Sequence, residues 1–152
     1  MPTIHSLIHP ECVLIRPEAH DKNGVIRLLI DALYSAGMAE DPDRLFRDVL
    51  AREALGPTGI GSGCAIPHAH SPAVECTAVA AAVLADGIDF EAPDGEPAKL
   101  VFLLAGPEKH AGLHLKLLSK MARLLHDSRL IESLSEAESS EAFLSLLQNR
   151  EE

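Results

Sequence analysis

The sequence predicts a single α/β domain over residues 1–152, built on a mixed β-sheet. Segments of strand type alternate with segments of helical periodicity, and this alternation is typical of α/β folds. Two strand segments, 77–84 and 99–105, are apolar almost throughout, as expected of strands that are buried on both faces. Turn-forming pairs between these strands favour a mixed sheet over a purely parallel one, and the pairs are Asp86-Gly87 and Asp94-Gly95.

A short strand and a capped helix are predicted at the start of the chain. Residues 12–15 are apolar and form the strand. The helix follows, because Asp21 is a suitable N-cap and Gly37 ends the periodicity after about Ala36. The apolar residues of this helix recur at helical spacing, and they are Val25, Leu28, Leu29, Ala32 and Leu33.

A second helix is predicted from Asp41, an N-cap that is followed by proline at the first helical position. The Gly56-Pro57 pair stops it, because proline disfavours the helical conformation in the residue before it. Its inner face is apolar and consists of Leu45, Phe46, Val49 and Leu50.

The remaining elements are a glycine-punctuated segment, the two long strands and three helices. A short apolar strand, 64–66, is expected to end at His68. A long helix is predicted from about Ala111 to His126, and two shorter helical pieces near 129–134 and 140–148.

Composition excludes several classes of function. Thirteen basic against 23 acidic residues give a net charge of −10, which argues against binding to nucleic acid or to anionic lipid. No stretch approaches the roughly 18 apolar residues of a membrane span, and the N-terminus lacks a signal sequence, so a cytoplasmic protein is expected. Three cysteines without CxxC spacing predict buried, reduced thiols, and they are Cys12, Cys64 and Cys76.

His68 is a candidate nucleophile. Pro67 fixes the backbone just before it. A neutral imidazole can attack a phosphoryl group through one ring nitrogen if the other donates its proton to a fixed acceptor. A structural or exposed histidine is the alternative interpretation, and it holds for most histidines.

His114 lies in the first turn of the long helix, on the side of its apolar stripe. The positive end of a helix dipole favours a neutral imidazole and a nearby phosphate. The alternative is a histidine at the edge of the core with a backbone partner. The stripe continues at positions three, four, seven, ten and eleven residues later: Leu117, Leu118, Met121, Leu124 and Leu125.

Arg52, near the end of the second helix, is a candidate phosphate clamp, or else a surface residue that offsets the helix C-terminus. Segment 58–68 could present bare N–H groups to an anion, although an ordinary turn-rich loop explains its glycines equally well. It lacks the lysine of a P-loop, and its spacing is not that of a dinucleotide site.

Four histidines offer a competing function, a His-ligated zinc enzyme. His70 is two residues after His68, and His110 is four residues before His114, a spacing that places both on one helix face. The pattern contains no HExxH motif and no evident carboxylate or thiolate ligand.

Several of these residues together are similar to one known family, the fructose/mannitol/nitrogen-regulatory IIA domains (EIIA type 2) of the bacterial phosphotransferase system. The resemblance spans about residues 12–147, and its most specific part ends in Ile66-Pro67-His68. It is carried by Arg52-Glu53, Thr58-Gly59-Ile60-Gly61, Gly63, Ala65-Ile66-Pro67-His68 and His114-Leu115-x-x-Leu118-Ser119.

The resemblance implies a mixed sheet flanked by helices on both faces and a phosphoryl group carried on His68. The donor would be a histidine phosphocarrier protein of HPr or NPr type, with no cofactor and no metal. Arg52 and His114 would line the same pocket. Phosphate contacts are expected from Thr58, Gly59, Gly61 and Gly63.

A shallow apolar rim should surround His68 and receive the partner, and its expected members are Ile60, Ala65 and Ala69. Two positions depart from the family pattern. Mannitol-type members carry a glutamate at the position of Ser62. Family members usually have glycine, lysine or arginine near the position that His70 occupies here.

Two biological roles share this phosphotransferase chemistry. A regulator would signal through its phosphorylation state to a target protein, whereas a fructose-type component would pass phosphate to a IIB domain during sugar uptake. A free-standing chain, together with Ile60-Gly61 and Ser62, favours the nitrogen-regulatory type.

Overall fold

A mixed β-sheet is the centre of the computed structural model, which describes residues 2–152. Over these residues the sheet has six strands in the order β1-β5-β6-β3-β2, and β4 pairs with β6 beside β3. β1 and β5 are parallel, β5 and β6 antiparallel, and both β3 and β4 run parallel to β6. The strands are β1 (Ile8–Ile15), β2 (Gly59–Gly61), β3 (Cys64–Ala65), β4 (His68–His70), β5 (Ala78–Ile88) and β6 (Ala98–Gly106).

Five helices, counted over residues 2–152, flank both faces of the sheet, and this confirms the predicted fold class. α1 and α2 pack together against the sheet, while α3, α4 and α5 pack against β6, β5 and β1. The two N-caps expected from the sequence are present, since Asp21 and Asp41 accept from the backbone N–H groups three residues later. The helices are α1 (Lys22–Ser35), α2 (Pro42–Leu55), α3 (Ala111–Leu124), α4 (Ser128–Ser135) and α5 (Ser140–Glu151).

The core lies around β5 and β6, whose side chains are buried on both faces. Phe102 of β6 packs against Phe143 of α5 with ring centroids 5.8 Å apart, which fixes that helix on the sheet. None of the helices in the described part of the chain is long and apolar enough to cross a membrane.

The predicted turn at Asp86-Gly87 is wrong, because β5 continues through it to Ile88. A Cβ on Gly87 would lie 2.6 Å from Cβ of Pro97, so this glycine serves close packing. The register between β5 and β6 shifts here. The second predicted turn is confirmed, and its Asp94 carboxylate accepts from the backbone N–H groups of Ser62 and Glu96.

Three smaller expectations are corrected. His68 begins β4 instead of ending the preceding strand, because Pro67 has no N–H to continue the pairing. The long helix ends at Leu124, two residues early. Cys12 and Cys64 are buried free thiols as predicted, but Cys76 is exposed.

Candidate functional site

One pocket of about 410 Å³ lies between the end of α2, strand β4 and the first turn of α3. It brings together Arg52, His68 and His114, the three residues to which the sequence gives central roles, although the first and the last are 62 positions apart along the chain. Its lining consists of Asp48, Ala51, Arg52, Leu55, His68, Ala69, His70, Ala111, His114, Leu115 and Leu118.

His68 is half-buried in this pocket, and its tautomer is fixed by the backbone. Nδ1 lies 2.8 Å from the carbonyl oxygen of Ile66. Because a carbonyl oxygen only accepts hydrogen bonds, Nδ1 must carry the proton and donate it. Nε2 is then left with a free lone pair, which is the form of imidazole that attacks an electrophile.

The surroundings of His68 favour this neutral form. Burial lowers the pKa of His68, and the nearby Arg52 guanidinium lowers it further, against the raising effect of the Ile66 hydrogen bond. A lowered pKa keeps the ring uncharged at neutral pH. The lone pair on Nε2 is therefore available.

His114 is almost fully buried beside His68, with the two ring centroids 5.6 Å apart. Burial, together with the neighbouring His70 and His68, lowers its pKa from 6.5 to about 4. In the part of the chain that the structure describes, neither ring nitrogen has a hydrogen-bond partner. Its neutral ring thus keeps one N–H donor and one acceptor uncommitted at the pocket.

Arg52 supplies positive charge at the same pocket from the last turn of α2. One guanidinium nitrogen donates to the carbonyl oxygen of Gly56 at 3.1 Å, which caps the helix. Within residues 2–152 no carboxylate lies in ion-pair distance of Arg52, so its charge is not neutralised by an acid. Both interpretations of Arg52 from the sequence thus fit its position.

The segment after α2 is held by Glu53, whose carboxylate is buried. It accepts from the backbone N–H and the hydroxyl of Thr58, and from Nζ of Lys22 at 3.1 Å. The Thr58 carbonyl in turn accepts from the N–H of Ile66, whose own carbonyl orients His68. Thr58 therefore connects Glu53 to the peptide that orients the His68 ring.

The four residues predicted to contact phosphate lie outside the pocket lining. Both donors of Thr58 are engaged by Glu53. Gly59 approaches the backbone of Phe90, since a Cβ there would lie 2.8 Å from its carbonyl oxygen. Gly61 and Gly63 have φ angles of 91° and 79° and form the β2–β3 turn. Glycine is needed at these positions for the hairpin geometry.

The exposed apolar side chains around the opening are two leucines that the expected rim does not include. Leu55 is 84% and Leu115 is 66% exposed, and both line the pocket. Of the expected rim, Ala65 is fully buried, and Ile60 faces a separate depression beside Arg123; Ala69 does line the pocket.

A signal for the missed residues exists in the helical spacing. Leu55 falls off the apolar stripe of its helix, and Leu115 follows the inward His114 directly, so neither has a core position to fill. Asp48 also lines the pocket, one turn before Arg52, and its carboxylate pairs with Arg44 at 3.1 Å.

The zinc hypothesis finds no ligand set. Among residues 2–152 no group of three or more His, Cys, Asp or Glu side chains is arranged to hold a metal ion. The exposed His70 instead packs its ring against His114, with centroids 4.2 Å apart.

Comparison with known proteins identifies relatives over nearly the whole chain. The family model of the phosphoenolpyruvate-dependent sugar phosphotransferase system, EIIA 2, matches residues 6–150. A fructose-specific EIIA component of Haloferax volcanii is 38% identical over 137 residues, covering 90% of this chain and 89% of that protein. A nitrogen regulatory protein of Bradyrhizobium diazoefficiens is 37% identical over 145 residues, covering 95% and 94%. A fructose-specific EIIABC component of Bacillus subtilis is 35% identical over 144 residues, which are 95% of this chain and 23% of that longer protein.

Solved structures share the fold. Nitrogen regulatory protein IIA-Ntr from Neisseria meningitidis superposes with a TM-score of 0.88 at 30% identity, covering 95% of this chain and 98% of that one. A complex of enzyme IIA mannitol and phosphorylated enzyme IIB mannitol from Escherichia coli gives a TM-score of 0.80 at 26% identity, covering 95% and 100%. Regulatory and sugar-specific proteins are thus both among the relatives.

Proposed function

Since the chain belongs to the EIIA type 2 family of the phosphoenolpyruvate-dependent sugar phosphotransferase system, we propose that His68 accepts a phosphoryl group from a histidine phosphocarrier protein of HPr or NPr type. The observation that carries this proposal is the contact between Nδ1 of His68 and the Ile66 carbonyl oxygen, 2.8 Å long. It leaves Nε2 as the nucleophile. The site belongs to a single cytoplasmic IIA domain in this proposal.

The transfer step exchanges one P–N bond for another. The Nε2 lone pair attacks phosphorus, and the bond from phosphorus to the donor histidine breaks, leaving its electron pair on the donor nitrogen. The His68 ring then carries phosphate on Nε2 and the proton on Nδ1. Its developing positive charge is stabilised by the Ile66 carbonyl and by the nearby Glu53 carboxylate.

Charge on the phosphoryl oxygens is met by Arg52, by an N–H of neutral His114 and by the positive end of α3. Each of the two side chains is expected to stabilise the transferring group by about 3 kcal/mol. Thr58 and the three glycines act on this step by shaping the segment that leads to His68, without touching phosphate.

The partner docks on the pocket opening, where Leu55 and Leu115 provide exposed apolar surface. Transient contacts of this kind are small and weak, which suits a carrier that must release its partner after each transfer. The phosphoryl group adds about two negative charges and can change which partner binds.

Labelling tests the chemistry directly. A relay that passes radioactive phosphate from phosphoenolpyruvate through a histidine phosphocarrier protein should label the chain once, in a bond that is labile in acid and stable in base. His68→Ala should abolish labelling, and His20→Ala, a fully exposed histidine, should not. Label on His68→Ala would refute the assignment.

Of the two roles, the nitrogen-regulatory one is proposed, supported by the overlap with IIA-Ntr. The alternative, a fructose-type component, rests on the fructose-specific relative and on the IIA–IIB complex of the mannitol system. Phosphorylated protein should be offered to fructose- and mannitol-type IIB domains and to cell lysate. Rapid loss of phosphate to one IIB domain would exclude the regulator. Retained phosphate, with a lysate protein that binds only one phosphorylation state, would support it.

A further inference from the structure

Two of the buried polar atoms that lack hydrogen-bond partners among the described residues lie close to the same glycine, Gly106. One is the hydroxyl of Thr77, a residue that is 6% exposed, and the other is Nδ1 of His114. A Cβ built on Gly106 would lie 2.9 Å from the Thr77 hydroxyl oxygen and 3.7 Å from Nδ1 of His114. Because glycine has no Cβ, no side chain of residue 106 separates the two groups.

The sheet brings these residues together from distant parts of the chain. Ala78 of β5 pairs with Ala105 of β6 in antiparallel register, which places Thr77 opposite Gly106 at the end of the sheet. His114 reaches the same point from the first turn of α3. A hydrogen bond between the two groups would give each of these buried atoms the partner that buried polar groups normally have.

We propose that the Thr77 hydroxyl donates a hydrogen bond to Nδ1 of His114, and so holds the neutral His114 ring in the tautomer that presents Nε2–H to the phosphoryl group on His68. Thr77 is then a positioning residue, and the inference rests on the function proposed above. The direction of the bond follows from the charge of the ligand. Anionic phosphoryl oxygens need a donor, so the nitrogen toward them must carry the proton, and Nδ1 must then accept.

The position of His114 makes the tautomer matter. With its pKa lowered to about 4, the ring has a single N–H at neutral pH. The opposite tautomer would turn a lone pair toward the phosphoryl oxygens and repel them. His70 packs against this ring with the centroids 4.2 Å apart and the ring planes tilted by 41°, and it takes neither ring nitrogen as a hydrogen-bond partner among the described residues.

The test uses the full chain with ¹⁵N-labelled histidine and the variants Thr77→Val and Thr77→Ser. Nitrogen chemical shifts of His114, assigned against His114→Gln, should show the Nε2–H tautomer in the wild type and in Thr77→Ser. Thr77→Val, which keeps the branched shape, should show a mixture. Its phosphoryl transfer to His68 should be slower by about tenfold, the factor that one hydrogen bond typically contributes.

The unfolding midpoint of Thr77→Val should fall by no more than the loss of one buried hydrogen bond produces, and that of Thr77→Ser should equal the wild type. In the His114→Gln background Thr77→Val should slow transfer no further. Three results would each overturn the role of Thr77. They are a wild-type tautomer and transfer rate in Thr77→Val, an Nδ1–H tautomer of His114 in the wild type, and a further loss of transfer rate when Thr77→Val is added to His114→Gln. If the wild type itself takes no label on His68, the proposed function fails instead.

Discussion

Two sets of buried polar side chains differ in how the fold satisfies them. The carboxylate of Glu151 is completely buried. It accepts hydrogen bonds from the backbone N–H groups of Ile4 and His5, at 2.7 and 2.8 Å, and forms an ion pair with Lys120 at 3.0 Å. Glu53 is satisfied in the same way, by the two donors of Thr58 and by Lys22. His114 is buried to a similar degree, yet in the described structure both of its ring nitrogens are without partners.

This difference distinguishes buried polar groups that stabilise the fold, such as the Glu151 carboxylate, from the His114 ring, whose nitrogens are free to bind a ligand. Burial alone would raise the pKa of Glu151, but the hydrogen bonds from His5 and Ile4 outweigh it and lower the pKa. For His114 nothing offsets burial, so its pKa falls and the ring stays neutral. A buried polar atom without an internal partner is costly, and the pocket opening gives it access to one from outside. We therefore expect Glu151 to control stability and the pocket residues to control transfer, whereas Glu53, whose charge also acts on His68, contributes to both.

The largest expected effect is on transfer. Arg52→Ala and His114→Ala should each slow phosphorylation of His68 by about 100-fold, because each removes one stabilising group from the transferring phosphoryl oxygens. Single-turnover transfer from a phosphorylated histidine phosphocarrier protein measures this. Arg47→Ala, an exposed arginine on the same helix, is the matched control. Wild-type rates in both pocket variants would show that Arg52 and His114 do not act on transfer, and the expected difference from Glu151 would be absent.

Substitution of Glu151 should give the opposite result. Glu151→Ala leaves two backbone N–H groups and Lys120 without their acceptor, so the free energy of unfolding should fall by about 3 kcal/mol. Urea unfolding measures the change, and Glu152→Ala on the neighbouring exposed residue should have little effect. The single-turnover rate of the folded Glu151→Ala protein should match the wild type. A loss of transfer rate without a loss of stability would mean that Glu151 acts on transfer and does not stabilise the fold.

The pH dependence of stability should report on His114. Its pKa in the folded state lies below that of the unfolded chain, so the unfolded state binds the proton first as pH falls. This stability is fully present above pH 6.5 and is lost as the pH drops toward about 4. From about pH 7 to about pH 5 the loss from this ring should be roughly 2 kcal/mol.

Denaturant unfolding of wild type and His114→Gln at both pH values isolates this contribution. The lowered pKa of His68 adds a loss of the same sign in both proteins and therefore cancels in the comparison. Equal pH dependence in wild type and variant would mean that a partner stabilises the protonated ring of His114 in solution, and the contrast with Glu151 would disappear.

Local features of the fold were predictable from the sequence, whereas those set by distant neighbours were not. The caps at Asp21 and Asp41 depend on residues three positions away and were predicted correctly. The sequence predicts a turn at Gly87 because it does not show why a glycine is needed there. The need is close packing against Pro97, which immediately precedes the adjacent strand β6.

The same limit applies to the site. The pattern around His68 indicates the proposed nucleophile, and helical periodicity places His114 on the inner face of α3, where the structure has it. The phosphate contact expected of Thr58 comes from the resemblance alone, and nothing in the spacing of Thr58 shows that Glu53 accepts from both of its donors. Thr77 carries no local signal at all, since its proximity to His114 is created only by the register of β5 and β6.

The smallest expected effect concerns partner binding at the pocket opening. Leu55→Ala and Leu115→Ala should each weaken binding of the phosphorylated carrier protein by about tenfold, because each removes apolar surface that the partner would cover. The transfer rate at saturating partner should stay at the wild-type value, since neither side chain reaches the phosphoryl group. The concentration dependence of single-turnover transfer separates affinity from rate.

Two controls decide whether the effect is specific to this opening. Tyr34→Ala removes a side chain that is 52% exposed and lies outside the pocket, so it should not change affinity. Ile60→Ala tests the rim that the sequence predicted, and because Ile60 faces the depression beside Arg123, it should also be neutral. If Ile60→Ala weakens binding more than Leu115→Ala does, the partner extends across the β2–β3 turn. In that case the glycines of the turn shape the docking surface as well as the segment leading to His68.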